Sequence, residues 1–257
     1  MAYDKLNLDG KVAVVIGGTS GIGKVCALGF IEAGVRALAA SSRRQGEVDR
    51  TADQFEAMGI STLRQAVDVT SKDSLRQLRE AAIRQFGRID ILLNAAGRTK
   101  KAPSLEFKEE DWDAILDCNL KGSFLACQVF GEHMVARGKG KIINIASLGS
   151  YVSLGDAVPY CVSKSGVAML TRCLGAEWAR KGVNVNAIAP GYFLTPLSAP
   201  MLAIPERKER ILAHIPMQRI GELEELKGAA IYLASEASNY VSGEILAVDG
   251  GFLAHGI

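Results

Sequence analysis

The chain has 257 residues, 48% of them hydrophobic and 23% charged, enough to bury the core of one large α/β unit. That usage excludes disordered, collagen-like and disulfide-scaffold chains. With 30 Lys and Arg against 28 Asp and Glu, the formal charge of +2 is too balanced for nucleic acid or an anionic membrane as the main partner.

In chain order, short apolar runs alternate with helical patterns. Val12–Ile16 reads as a strand and leads through a glycine-rich turn into a helical pattern over Lys24–Ala33. Strands are predicted at Val35–Ala40 and Thr62–Val67, and Leu75, Leu78, Ala82 and Phe86 then mark one face of a helix. Thr70 and Asp73 are placed to cap that helix, and Gly87 to stop it. Strands follow at Ile89–Leu93 and Lys141–Ala146, then a helix through Val167, Leu170, Leu174 and Trp178. The strand Val183–Ile188, a helix through Leu223, Leu226, Ala230 and Leu233, and the strand Glu244–Val248 complete the series. Nearly continuous apolar strands separated by helices predict an α/β fold, a doubly wound, seven-stranded parallel sheet with helices on both faces. No linker or repeat divides residues 1–257, so one domain is expected. Between Gly191 and Ile220 stand four of the seven prolines, Pro196, Pro200, Pro205 and Pro216. A stretch this long beyond a strand's carboxyl end reads as a substrate lid.

Cys26, Cys118, Cys127, Cys161 and Cys173 form no C-x-x-C pair. They predict reduced core thiols rather than disulfides or a metal site. No apolar run approaches the ~20 residues of a bilayer span, and MAYDKLNLDG carries no signal-peptide core. The expectation is a cytoplasmic protein without a membrane partner.

The turn Gly17-Gly18-Thr19-Ser20-Gly21-Ile22-Gly23 lies between strand and helix, where glycines let a backbone approach a pyrophosphate and the helix N-terminus supplies free N–H groups. Gly18 to Lys24 also satisfies a P-loop, but Val25 stands where a metal-binding hydroxyl belongs. A dinucleotide is the better reading than a nucleotide hydrolase. After the second strand comes Ser41-Ser42-Arg43-Arg44, with no acid before Glu47. Hydroxyls and guanidinium groups suit a 2′-phosphate, which predicts NADP, with NAD as the alternative.

There are three histidines and no G-x-S-x-G, so no serine-hydrolase arrangement emerges. Tyr160 and Lys164, at i and i+4, share a helix face, where an ammonium favours ionisation of a phenol. Taken with Gly17-x-x-x-Gly21-Ile22-Gly23, Asn94-Ala95-Ala96-Gly97, Asn119, Ser147, Pro190-Gly191 and Asp249-Gly250-Gly251, the chain resembles the short-chain dehydrogenase/reductase family over essentially its full length. The resemblance implies a Rossmann fold and a catalytic set of Asn119, Ser147, Tyr160 and Lys164. Tyr160 would exchange a proton with the substrate oxygen, Ser147 would donate to that oxygen, Lys164 would lower the Tyr160 pKa and hold the nicotinamide ribose, and Asn119 would position a water. It also implies cofactor contacts from Gly17, Thr19, Ser20, Gly21, Ile22, Ser42, Arg43, Asp68, Val69, Asn94, Ala95, Gly97, Tyr160, Lys164, Pro190, Gly191 and Thr195. Two positions depart from the family pattern. Ile16 replaces a threonine whose hydroxyl would tie the turn to a neighbouring strand, and Ala95 replaces a second asparagine.

The implied reaction interconverts a secondary alcohol and a ketone. The start of the lid, Gly191-Tyr192-Phe193-Leu194-Thr195-Pro196, is similar to that of sugar-acid and polyol dehydrogenases such as gluconate 5-dehydrogenases, while 3-oxoacyl-carrier-protein reductases share the same motifs. Leu148, Val152, Leu154 and Met201 either line the pocket or pack. A non-catalytic dinucleotide-binding protein would lack at least one of the catalytic four, and none is missing. The resemblance further implies a homotetramer, and the apolar Phe252, Leu253 and Ile257 at the C-terminus need a burial partner, in another subunit or back near the lid.

Overall fold

Runs of small and β-branched residues become strands where both of their faces are covered. In the computed structural model, which describes residues 4–255, β1 (Val12–Ile16), β2 (Ala37–Ser41), β4 (Ile91–Asn94) and β5 (Gly140–Ile145) are buried at every position. With β3 (Ser61–Thr62), β6 (Val183–Pro190) and β7 (Ile245–Val248) they form one parallel sheet in the order β3-β2-β1-β4-β5-β6-β7. The helices are α1 (Gly21–Glu32), α2 (Gln45–Ala57), α3 (Lys72–Phe86), α4 (Glu109–Leu116), α5 (Gly122–Arg137), α6 (Val158–Trp178), α7 (Ala199–Leu202), α8 (Pro205–Ala213) and α9 (Lys227–Ala234). On one face Leu75, Leu78 and Phe86 of α3, Phe130 and Met134 of α5, and Leu174 of α6 pack on the sheet. On the other lie Val25, Cys26 and Phe30 of α1, Phe55 of α2, and Leu233 of α9. Each fully buried side chain of this size contributes roughly 1.5–3 kcal/mol.

All seven expected strands are present, β1 at the expected bounds and the others with shifted ends. The exception is β3, expected to reach Val67 and confined to Ser61–Thr62. Beyond it the Gln45 side chain substitutes for a sheet partner, donating to the Arg64 carbonyl (3.3 Å) and accepting from the Ala66 N–H (3.2 Å). The cap of α3 is also corrected. Ser71, rather than Thr70 or Asp73, accepts from the Ser74 N–H (3.2 Å), while the Thr70 hydroxyl turns to Asp68. Gly87 stops the helix in the left-handed region as expected. The pattern from Leu223 to Leu233 splits into a 3-10 turn and α9. Residues 191–220 carry the short helices α7 and α8. Ile257 lies outside the described residues.

The sheet reverses its order between β1 and β4, and a crevice opens there beyond the strands' carboxyl ends. At the opposite end, Asp90 holds the same strands together. Its buried carboxylate accepts from the Val12 N–H (3.0 Å), Arg88 (2.9 Å) and Arg137 (3.2 Å). Burial opposes its ionisation, but those three partners prevail and hold its pKa below the ordinary value. The stability it contributes is therefore present above the unfolded pKa, near 3.9, and lost as pH falls through the folded value. Asp90→Asn is expected to cost about 3 kcal/mol in urea unfolding at pH 7. The gap to the parent protein should narrow below about pH 4, and a gap independent of pH would contradict this account.

Candidate active site

The turn after β1 approaches the end of β4 so closely that a side chain cannot fit. A Cβ on Gly17 would lie 2.6 Å from the Ala96 nitrogen, and its φ of +78° is unfavourable for any other residue. Ser20 precedes α1 without a side-chain cap, so the first-turn N–H groups face the crevice with no intrahelical acceptor. Across from them, Thr195 lies 3.6 Å from where a Gly21 Cβ would be. The crevice is a cleft of about 1250 Å³ running from Arg43 at one end to Arg207 at the other.

At the Arg43 end, the Ser42 hydroxyl is buried without a hydrogen-bond partner, and Arg43 is exposed and makes no ion pair among the described residues. Asp68 accepts from the Thr70 N–H (2.9 Å) and hydroxyl (2.8 Å). The backbone bond chiefly, helped by that hydroxyl and the Arg43 charge against the cost of burial, holds its carboxyl below the usual range. An orphaned hydroxyl beside an unpaired guanidinium suits a phosphomonoester, and the glycine cradle suits a pyrophosphate. The residues present fit a phosphorylated dinucleotide. Val25, the P-loop alternative's metal position, is buried in the core, and no cluster of metal-ligating side chains occurs among the described residues.

Ser147 follows β5 and accepts from the Gly149 N–H (3.1 Å), so its own proton is directed to another oxygen, that of Tyr160. Tyr160 and Lys164 lie one turn apart on α6, with the Lys164 ammonium 5.9 Å from the phenol ring centroid. Lys164 is buried and donates to the Ile145 carbonyl (2.7 Å), and burial pushes its pKa down to about 8. The Tyr160 pKa moves opposite to expectation: burial pushes the phenol up, and its hydrogen bond with Ser147 only partly offsets that. Lys164 spends its contact on the Ile145 carbonyl instead of the phenol.

Asn119 lies in a five-residue π turn, Asp117–Lys121, between α4 and α5, a distortion frequent at functional sites. Its amide accepts from the Arg98 N–H (2.8 Å) and donates to the Arg98 carbonyl (2.9 Å) and the Ser163 hydroxyl (3.0 Å). The amide thus ties the loop after β4 to α6, with one lone pair of its oxygen still open. Asn94 is also corrected, since its side chain does not line the cleft. It donates to Asn144 across the sheet (2.9 Å), which donates to Thr171 (3.0 Å). The other expected contacts line the cleft: Gly17, Thr19, Ser20, Gly21, Ile22, Ser42, Arg43, Asp68, Val69, Ala95, Gly97, Pro190, Gly191 and Thr195. Leu148, Leu154 and Met201 line it too, whereas Val152 is exposed outside.

Sequence reasoning missed a group of cations at the far end. Arg98, Lys100, Lys101 and Arg207 all line the cleft. Lys100 pairs with Asp111, and Arg207 reaches Asp156 (3.5 Å), a non-glycine residue with φ +51°. Lys101 has no hydrogen-bond partner among the described residues. Burial first, then the Arg207 charge, lowers its pKa. The Lys100-Lys101 dipeptide just past Gly97 was the available signal.

Residues 17–253 match the family described as enoyl-(acyl carrier protein) reductase. The chain is 42% identical over 256 residues to the 2-dehydro-3-deoxy-D-gluconate 5-dehydrogenase of Escherichia coli K12, spanning 99% of this chain and 100% of that protein. It is 39% identical over 245 residues to the D-threitol dehydrogenase of Mycolicibacterium smegmatis, spanning 95% and 94%. It is also similar to the crystal structure of a gluconate 5-dehydrogenase from Burkholderia cenocepacia J2315 in complex with NADP and tartrate, with 38% identity, a TM-score of 0.95 and 98% and 99% coverage.

The Ile16 departure leaves a mark on the site. In register, Ile16 stands between Ser41 and Asn94, and both the Ser41 hydroxyl and the Asn94 side-chain amide oxygen are buried without partners. Ile16→Thr would put a donor and acceptor between them. It is expected to stabilise by about 1 kcal/mol, raising Tm by roughly 2–4 °C. A lowered Tm would show that lost packing outweighs the satisfied groups.

Proposed function

This chain belongs to the short-chain dehydrogenase/reductase family and is an NAD(P)-dependent oxidoreductase acting on alcohols, and from that premise we propose that it interconverts a secondary alcohol and a ketone on a small polyhydroxylated acid, using NADP(H). The observation that carries the substrate class is the half-buried Lys101, which has no hydrogen-bond partner among the described residues. Asp156 pairs with Arg207 and offsets only part of the cost of the Lys101 charge, so an entering carboxylate would give Lys101 the bond it lacks. A neutral polyol brings no such compensation, and a 3-oxoacyl thioester would bring an apolar chain to that end. The names of the relatives, which act on a gluconate derivative or a tetritol, and the tartrate in the related structure agree with a small hydroxylated substrate.

In this reading the Gly17–Gly23 turn and the α1 N-terminus hold the pyrophosphate, and Ser42 and Arg43 hold the 2′-phosphate. Asp68 and Val69 flank the adenine, Tyr160 and Lys164 hold the nicotinamide ribose, and Pro190, Gly191 and Thr195 face the amide. When bound, the nicotinamide supplies the hydride donor or acceptor. Ser147 donates its hydroxyl proton to the substrate oxygen. Tyr160, protonated at neutral pH, gives its proton to that oxygen on reduction; for oxidation it first releases that proton and, as the phenolate, takes up the proton of the alcohol. Lys164, with a pKa of about 8, exchanges protons near working pH. Asn119 positions the loop that carries Gly97 against α6.

Residues 191–220 act in this proposal as the lid of one catalytic unit spanning the chain. Phe252 packs on Tyr192 of its own chain, so it is not a free sticky end. The surface that supports a homotetramer is instead the exposed strip Val158, Val162 and Met169 on α6, with Phe124 on α5. No helix among the described residues is long and apolar enough to cross a membrane.

Two measurements test the proposal. Tyr160→Phe should retain NADPH binding, read by fluorescence, while kcat falls by about 10²–10⁴; near-normal turnover would overturn its role. The parent protein should prefer D-gluconate to neutral D-threitol in NADP-linked oxidation. Lys101→Met should lower the ratio of the two kcat/KM values about tenfold, the size of one charge-assisted bond. An unchanged ratio would remove the basis for an acid substrate.

A further inference from the structure

The Asp249-Gly250-Gly251 stretch has no part in the chemistry above, yet it builds a support for one wall of the cleft. As β6 ends, the Gly191 N–H donates to the Val248 carbonyl (2.8 Å), and a Cβ on Gly191 would lie 2.7 Å from the Asp249 Cα. Contact between two backbones therefore fixes where the next residue, Tyr192, points. The Asp249 carboxylate then accepts from the Gly251 and Leu253 N–H groups, each at 2.9 Å, and winds the turn Phe252–Ala254. That turn sets the Phe252 ring edge-on against Tyr192, with centroids 5.8 Å apart and planes at 62°. His214, just past α8, stands 6.3 Å from the other side of Phe252 and is itself held by the Arg210 carbonyl (2.8 Å).

Tyr192 lines both the main cleft and a second cavity of about 250 Å³, which is lined among others by Ile215, Met217 and Gly250. Its ring is thus supported by Phe252 while its side chain borders the cleft. Its hydroxyl has no hydrogen-bond partner among the described residues. Tyr160 and Cys161 lie close enough for their charges to act on it. A partly buried phenol without a partner, held rigidly beside the proton-exchanging residue, is a donor waiting for an oxygen on the ligand.

We infer that Tyr192 is a specificity-determining residue that hydrogen-bonds a substrate hydroxyl next to the reacting carbon, and that Asp249 and Phe252 are positioning residues that hold its ring. The inference rests on the oxidoreductase reading above, but not on the charge of the substrate. Lys101 would read a carboxylate, whereas Tyr192 reads a neighbouring hydroxyl. Polyols and sugar acids share that hydroxyl, and simple secondary alcohols lack it.

The test compares D-gluconate and D-threitol with cyclohexanol in NADP-linked oxidation. Tyr192→Phe keeps the ring and its contact with Phe252 but removes the hydroxyl. It should lower kcat/KM for each polyhydroxylated substrate relative to cyclohexanol by about five- to tenfold, mostly through KM. Phe252→Leu should lower the same ratios about three- to tenfold, the worth of one aromatic pair, and Phe252→Tyr, which keeps a ring there, should restore them. Asp249→Asn should fall between the two. Ratios unchanged in Tyr192→Phe would overturn the inference. So would a loss in Phe252→Leu that falls equally on cyclohexanol, since that is what simple destabilisation produces. Turnover of D-threitol but not D-gluconate would remove the acid reading while D-threitol still reports on Tyr192. Turnover of cyclohexanol alone would overturn both.

Discussion

The close approach of two chain segments at the point where the sheet reverses order governs the rest of the molecule. Gly17 sits against the Ala95–Ala96 backbone, and that contact sets how near the start of α1 comes to the end of β4. Because the two segments meet backbone to backbone, the N–H groups at the start of α1 are presented to the crevice and not to a neighbouring side chain. Loops that follow six of the seven strands then converge on one cleft, so the glycine turn and the Tyr160 side chain face a common volume. A second approach of the same kind, Gly191 on Asp249, does for the substrate end what Gly17 does for the phosphate end. In both places, absence of a side chain sets the direction of the residue that follows.

Around that frame the protein carries strain that a purely structural fold would not need. Lys164 is a cation in a site that lowers its pKa by burial, and Lys101 is partly desolvated beside another cation. Each disfavours the charged form, and each lies in the cleft. The unpartnered Ser42 hydroxyl follows the same logic at the opposite end. Groups left unsatisfied in the protein alone become binding energy when a ligand satisfies them. The Ser41 hydroxyl and the Asn94 side-chain amide oxygen are different. They are buried beside Ile16 within the sheet, and their cost traces to a single apolar residue in a polar row.

Rigidity is spread unevenly. The catalytic face is tied through Asn119, whose amide joins the Arg98 loop to Ser163 on α6, and through Lys164, which holds the end of β5. Residues 191–220, proposed above as a lid, are attached through the bridge between Phe193 and Gly221, the Arg207–Asp156 and Arg219–Glu225 pairs, the Met217 N–H on the Gly250 carbonyl and the Phe252–Tyr192 stack.

Local chemistry made much of this legible in the sequence. Apolar runs too short for helices, alternating with 3-4-4 patterns, determined the seven strands and their parallel order. The glycine turn, Ser147, and the i, i+4 pair of Tyr160 and Lys164 needed only neighbours in sequence or a family's spacing to be recognised. What the sequence could not decide were contacts between residues distant along the chain. The end of β3 was set by Gln45, which takes over backbone bonds at Arg64 and Ala66. Asn119 gained a tie to Arg98 and Ser163 that its position in the sequence did not show. Lys101 became unusual through burial first and then through Arg207, which α8 brings near it, and Tyr192 when the C-terminal turn laid Phe252 against its ring. Periodicity reports which face of an element is buried, because burial repeats along that element. It carries no record of which distant side chain arrives at that face, and in this protein those arrivals set the pKa values and the shape of the substrate end.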